Sequence, residues 1–199
     1  MRGIEQIPWA YDLCMGIAER TGFRQWRQSL VRPACGRVLD LGCGTGRNLQ
    51  LFAAEARVVG LELDLFLLSR ARKRAPGVPL VVGRAEALPF RNASFDSVVS
   101  SLVFCSVADP EAGLSEVQRV LSAGGSLRML EHVRSTWALL GLLQDWVQPI
   151  WTWVAGGCHP NRNTENAVEE AGFVIERHER RGRSTLRCFS ARPRETGRE

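Results

Sequence analysis

Lysine is almost missing from this chain. Of the 26 basic side chains in its 199 residues, Lys73 is the only lysine and the rest are arginine. The net charge is only +5, and no long basic block forms. The densest run, Arg177-His178-Glu179-Arg180-Arg181-Gly182-Arg183, is interrupted by an acid. Scattered charge of this kind reads as a solvated face rather than a nucleic-acid footprint. Paired cysteines are missing too. Cys14, Cys35, Cys43, Cys105, Cys158 and Cys188 include no C-x-x-C and no zinc-type spacing, so no metal is expected and the thiols read as reduced. The first residues, Met1-Arg2-Gly3-Ile4-Glu5-Gln6, hold no uninterrupted apolar core of signal-peptide type, and a cytoplasmic protein is expected. No internal repeat is visible. The length suits one α/β domain over residues 1–199.

Against these absences stands one glycine-rich stretch, Asp40-Leu41-Gly42-Cys43-Gly44-Thr45-Gly46. It follows the apolar run Arg37-Val38-Leu39, which reads as a buried strand. Alternate glycines let the backbone turn tightly and come close to a ligand. The pattern is G-x-G-x-G. Arg47 stands where the third glycine of a dinucleotide fingerprint belongs. Residues 47–54 fit a helix, whose N-terminus would point at whatever the loop cradles. A second acid, Glu62, ends the next strand, where open α/β sheets bind ligands and where a carboxylate can accept from ribose hydroxyls. Asp64 suits a helix N-cap.

Strand and helix alternate along the chain. Residues 4–30 fit one or two helices, and residues 1–34 read as an N-terminal helical cap. Strands are expected at 37–39, 57–61, 79–82, 95–101 and 126–132, with helices at 65–75, 114–121 and 165–171. Repeated βα units predict a parallel, doubly wound sheet with helices on both faces. Residues 173–178 and 185–191 then read as an antiparallel strand pair turning at Gly182. Residues 134–164 stand apart. The stretch from Trp137 to Gly157 carries four tryptophans and one charge, Asp145. It reads as a flap on the sheet, a lid over an apolar pocket or an interfacial helix. Asp145 and Pro149 argue against a membrane span.

The glycine loop with Asp40 and Glu62 resembles the first motif of class I S-adenosylmethionine (SAM) methyltransferases. Gly83-Arg84-Ala85-Glu86-Ala87-Leu88-Pro89-Phe90 resembles their third motif, with Arg84 where the family carries an adenine-binding Asp. Residues 95–107 resemble the fourth. The resemblance covers most of residues 35–191. It implies a Rossmann-like, seven-stranded, mostly parallel sheet with a C-terminal antiparallel strand pair, and SAM as cofactor. It implies cofactor contacts from Asp40, Gly42, Cys43, Gly44, Gly46, Asn48, Glu62, Leu63, Ala85, Glu86, Ser101 and Leu102. Cys105-Ser106-Val107, Glu131-His132-Val133, the Trp-rich segment and Gly157-Cys158 followed by Arg162 resemble the alkyl-thiol S-methyltransferase-like branch. Ubiquinone/menaquinone methyltransferase-like enzymes share the third motif. The branch implies a small, apolar acceptor, with a thiol favoured over a quinone-precursor carbon or a phospholipid amine. His132 is the candidate base. Trp137, Trp146, Trp151, His159 and Arg162 are candidates for acceptor contacts. A non-catalytic SAM-binding role is the alternative of another class, with the change at Arg84 as its support. No RNA-binding module or Asn-Pro-Pro-Tyr-like motif is seen, so nucleic acid is not an expected partner. Membranes are at most a peripheral contact. Mammalian members of the branch carry an N-terminal anchor, and none is read here.

Overall fold

Four of the five residues of β1 (Arg37–Leu41) are buried, because a parallel strand in the middle of a sheet is covered on both faces. The structure, a computed structural model, describes residues 16, 22–155, 157–176, 179, 181–183 and 185–194. β1 pairs in parallel with β2 (Arg57–Glu62) on one side and β4 (Phe95–Ser101) on the other. β3 (Leu80–Val82) lies outside β2, and β5 (Leu121–His132) outside β4. The far edge is mixed. β8 (Leu186–Pro193) runs antiparallel to β5 and to β6 (Phe173–Ile175). The order is β3-β2-β1-β4-β5-β8-β6, with β7 (Arg181–Arg183) paired onto β8 beside this seven-strand path. This is the doubly wound, seven-stranded, mostly parallel sheet with an antiparallel terminal pair.

Period-two alternation splits the core. Leu39, Leu41, Leu61, Val98, Leu127 and Met129 face α3 (Pro110–Val120) and α5 (Thr164–Glu170), which contribute Leu114, Val117, Val120 and Val168. Val38, Val99, Leu130 and Cys188 face the other way and meet Leu30 and Val31 of α1 (Arg24–Val31). α2 (Leu65–Arg74) starts at Asp64, whose carboxylate accepts from the amides of Phe66 at 2.7 Å and Leu67 at 3.0 Å. It ends in Arg72, Lys73 and Arg74, matching the helix dipole.

Several local expectations change. Residues 47–54 form turns rather than a helix. Leu51 bonds back three residues to Asn48, the closure of a turn and not of an α-helical step. The N-terminus of a helix therefore does not point at the loop. α3 begins at Pro110, not 114: Asp109 caps the amide of Ala112 at 3.0 Å and proline takes the first helical position. β5 begins at Leu121, five residues before the expected start, and runs through Gly124-Gly125. Gly182 lies inside β7, so the reversal falls after Arg183. Residues 1–15 and 17–21 of the expected N-terminal cap, and 177–178 of the expected sixth strand, lie outside the described residues.

α4 (Ala138–Val154) differs most from a packed flap. Of its residues only Gly141 is buried. Leu139, Leu142, Leu143, Trp146, Ile150, Trp151 and Trp153 are exposed, Trp146 to 78%. Its start is held by polar contacts. Arg134 pairs with Asp145 at 2.8 Å, and the Gln144 side-chain oxygen accepts from the Ser135 amide at 2.7 Å. No helix among the described residues is long and apolar enough to cross a membrane.

Candidate active site

The sheet reverses its winding between β1 and β4, and a cleft of about 480 Å³ opens at the carboxyl ends of the strands there. The volume lies within the range of about 300–1,000 Å³ usual for small-molecule sites. Gly42, Glu62, Leu63, Ala85, Glu86, Ser101, Leu102 and His132 all line it. Asp40, Cys43, Gly44, Gly46 and Asn48 are not among its lining residues.

Gly42 sits at φ +65°, and a Cβ there would lie 2.5 Å from Val103 Cγ2, so the loop after β1 and the turn after β4 touch only because this residue is glycine. At Gly46 a Cβ would lie 2.9 Å from the Cα of Ala71 in α2. Arg74 of α2 also donates to the hydroxyl of Thr45 at 2.7 Å. Glu62 secures the other side. Its carboxylate accepts from the amides of Gly44 at 3.0 Å, Leu63 at 2.8 Å and Asp64 at 2.9 Å. Burial raises its pKa, and these three amides oppose the rise. Glu62 thus shapes the loop while facing the cleft.

Asp40 follows the alternation of β1 away from α3 and toward α1. It is fully buried and accepts from Asn48 Nδ2 at 3.1 Å, while Asn48 Oδ1 accepts from Arg27 Nη1 at 2.7 Å. Burial pushes its pKa up to about 7, against the Asn48 hydrogen bond and the Arg27 charge. Its Oδ2 has no hydrogen-bond partner among the described residues. Cys43 turns its thiol into a pocket of Leu49, Leu68, Ala71 and Ala75, leaving its backbone as the part nearest the cleft. Burial raises its pKa as well.

Across the cleft, Leu102 takes φ +59°, a strained state for a branched residue, at the end of β4. The buried hydroxyl of the neighbouring Ser101 has no partner among the described residues. Arg84 meets Glu86 at 3.4 Å, and Glu86 also accepts from the Ala108 amide at 3.2 Å. These residues fit SAM. Buried carboxylates suit a cationic cofactor, Glu62 lines the cleft at the end of β2, and Asp40 and Ser101 leave buried polar atoms in need of partners. Glu62, Ser101 and the Gly42 backbone would hold it, with Asp40 buried behind them.

The far wall holds an arrangement that sequence spacing hides. Cys105, His132 and Cys158 are 26 or 27 positions apart, yet their ligand atoms all lie within 4.8 Å of one another. Cys158 Sγ is 3.8 Å from His132 Nδ1. Hydrogen bonding from Cys105 and the nearness of His132 pull the Cys158 thiol down; the same contact and burial push the Cys105 thiol up. Glu131 fixes the turn that carries Cys105. Fully buried, it accepts from Ser100 Oγ at 2.9 Å and from the amides of Val103, Phe104 and Cys105 at 3.0, 3.1 and 3.3 Å. Burial raises its pKa too. Arg162 holds the same turn from the other side, donating to the carbonyls of Phe104 at 2.6 Å and Val107 at 2.7 Å.

Of the candidate acceptor residues, Arg162 is thus a fastener of this turn, and it lines a separate cleft with Phe104, Leu114 and Thr164. His159 donates its amide to the Cys105 carbonyl at 2.8 Å, and its ring is outside the cleft lining. Trp137 and Trp146 lie at the start of α4 and on it and do not line the cleft, whereas Trp151, also outside the lining, hydrogen-bonds the Cys158 thiol. Arg27 and the structural work of Glu131 were missed from sequence. The available signal for Glu131 was an acid directly after the apolar Met129-Leu130 pair near the end of the strand.

The comparisons with known proteins agree with this geometry. The Methyltransferase domain family matches residues 39–129, from β1 through most of β5. Rat thiol S-methyltransferase TMT1B is 37% identical over 144 residues, 68% of this chain and 59% of that protein. The demethylmenaquinone methyltransferase of Streptomyces avermitilis is 35% identical over 139 residues, 67% of this chain and 60% of that protein. The chain spans about three-fifths of the length of these relatives. The solved S-adenosylmethionine dependent methyltransferase of Mesorhizobium loti shares the fold, with a TM-score of 0.61 at 24% identity over 84% of this chain and 95% of that one. With the sheet order, the glycine loop under Glu62 and the cleft at the switch point, these likenesses assign residues 39–129 of this chain to the methyltransferase domain family.

Proposed function

We propose that this chain transfers a methyl group from SAM to the sulfur of a small, apolar thiol. SAM, when bound, supplies an electrophilic methyl group on a sulfonium. The chain's residues then have to position, desolvate and deprotonate the acceptor. The observation that carries the reading is the division of the cleft. Glu62, Asp64 and Glu86 line it from the β2–β3 side of the switch point, while Leu102, Val103 and Val107 line it from the segment after β4, with His132 beside them at the end of β5. Apolar walls exclude water and admit an uncharged acceptor. His132 is the group placed to draw off its proton, and the thiolate is the nucleophile. The similarity to a thiol S-methyltransferase supports this acceptor. The similarity to demethylmenaquinone methyltransferases supports a second reading, methylation of a quinone-precursor ring carbon in the same cleft.

The test is release of S-adenosylhomocysteine by purified protein supplied with SAM and, in separate reactions, an alkyl-thiol series, a demethylated quinone mimic and phosphatidylethanolamine vesicles. Thiol-dependent release is expected. Release with the quinone mimic alone would replace the first reading by the second. SAM binding with no release on any acceptor would favour a non-catalytic SAM-binding role.

A further inference from the structure

We propose that Cys105, His132 and Cys158 form a zinc site in the wall of the cleft, with its fourth coordination position open to the acceptor thiol. The inference rests on the thiol reading above for the fourth ligand, and on geometry alone for the other three.

The donor set is the first argument. Two thiolates and one imidazole, with a fourth position left to water or substrate, match a catalytic zinc arrangement, and soft sulfur donors select zinc over the hard cations. Distances are the second. In a tetrahedral site with Zn–S of about 2.3 Å and Zn–N of about 2.0–2.1 Å, sulfur and nitrogen ligands are about 3.5 Å apart and two sulfurs about 3.8 Å apart. Cys158 Sγ and His132 Nδ1 are already 3.8 Å apart, and all three ligand atoms lie within 4.8 Å of one another.

Support around the ligands is the third. Glu131 holds the Cys105 amide, Arg162 the carbonyls on either side of Cys105, and the His159 amide the Cys105 carbonyl. Thr152 Oγ1 donates to the Cys158 carbonyl at 3.0 Å. Such outer contacts fix ligand orientation at metal sites. Placement is the fourth. Cys105 and His132 both line the cleft, so an ion between them faces the acceptor end.

The chemistry follows. The acceptor R–SH takes the open position and loses its proton to solvent, because the divalent charge favours the thiolate. In this arrangement His132 is a ligand and not the base, and the proton passes to solvent. The sulfur–methyl bond forms as the sulfonium–methyl bond breaks, and that bond's electron pair stays on the cofactor sulfur. The neutral thioether is a poorer ligand and leaves.

The test uses the full chain, reduced and purified. Zinc content is measured by mass spectrometry, affinity by chelator competition, and ligation by the cobalt-substituted spectrum. One zinc per chain is expected, with a thiolate-to-cobalt band and the visible bands of a tetrahedral site that shift when an alkyl thiol is added. Cys105→Ser, His132→Ala and Cys158→Ser are expected to weaken zinc binding at least about tenfold. Cys35→Ser, outside the cluster, is expected to leave it unchanged, and circular dichroism checks that each variant folds. Absence of stoichiometric metal, binding unchanged in all three ligand variants, a Cys105–Cys158 disulfide that resists reductant, or a cobalt spectrum unmoved by thiols would each overturn the site. Full thiol methylation by metal-stripped protein would also overturn it and leave the S-methyltransferase reading standing. A thiol-responsive cobalt spectrum in a protein that methylates no thiol would support the site and remove the methyltransfer reading.

Discussion

Asp40 holds its proton to about pH 7 because burial removes the water that would stabilise its charge, and one Asn48 hydrogen bond does not replace it. A carboxylate whose pKa is raised by folding binds its proton more tightly in the folded state. Its contribution to stability is therefore complete below the unfolded value of 3.8 and is lost as pH rises toward 7. Ligand-free protein is expected to lose at most about 4 kcal/mol from this source across that window. Asp40→Asn is expected to flatten that part of the curve in urea titrations run at a series of pH values. Glu131 poses a harsher case. Glu131→Ala would strand three amides and a hydroxyl inside the protein, and a loss of about 3 kcal/mol or more is expected as a lowered urea midpoint. At Gly46, alanine meets both a positive φ and the backbone of Ala71. Gly46→Ala is expected to cost about 1–3 kcal/mol and to weaken SAM binding through the displaced loop.

At the scale of elements, α4 and the turn after β4 behave differently. α4 exposes nearly all of its apolar side chains, and none of its tryptophans lines the cleft. Leu139→Gln and Trp146→Gln are therefore expected to change stability by no more than about 0.5 kcal/mol and to leave SAM affinity unchanged by calorimetry. A lid that closed over the cofactor would give the opposite result. The turn after β4 is held by Glu131 from β5, by Arg162 from the segment before α5, and by the Gly42–Val103 contact. It joins the cofactor end of the cleft to the Cys105 end. Damage to either support is felt at both.

For the whole molecule, the cleft exists only in the folded chain, so its ligand must stabilise the fold by mass action. SAM at a hundredfold its dissociation constant adds about 2.7 kcal/mol. For a domain of this size the melting temperature is expected to rise by about 5–11 °C in a thermal-shift assay. Glu62→Gln removes the charge that grips the Gly44, Leu63 and Asp64 amides, and is expected to shrink that shift.

Local pattern alone fixed much of this protein. Apolar runs of the right length marked the parallel strands, and the glycine loop with two acids marked where a cofactor meets the sheet. Those signals are short-range, set by backbone sterics and burial within a few residues. Their details still moved where two local preferences competed. Turns took the place of the expected helix at 47–54, and the Asp109-Pro110 cap began α3 four residues early. Tertiary structure decided what depends on distant chain segments meeting. Only the register of β4, β5 and the loop after α4 brings Cys105, His132 and Cys158 together. The alternation of β1 turned Asp40 toward Arg27 and Asn48, and polar fastening rather than apolar packing left α4 exposed. Spacing along a chain cannot report such meetings, because they are set by how strands align across a sheet.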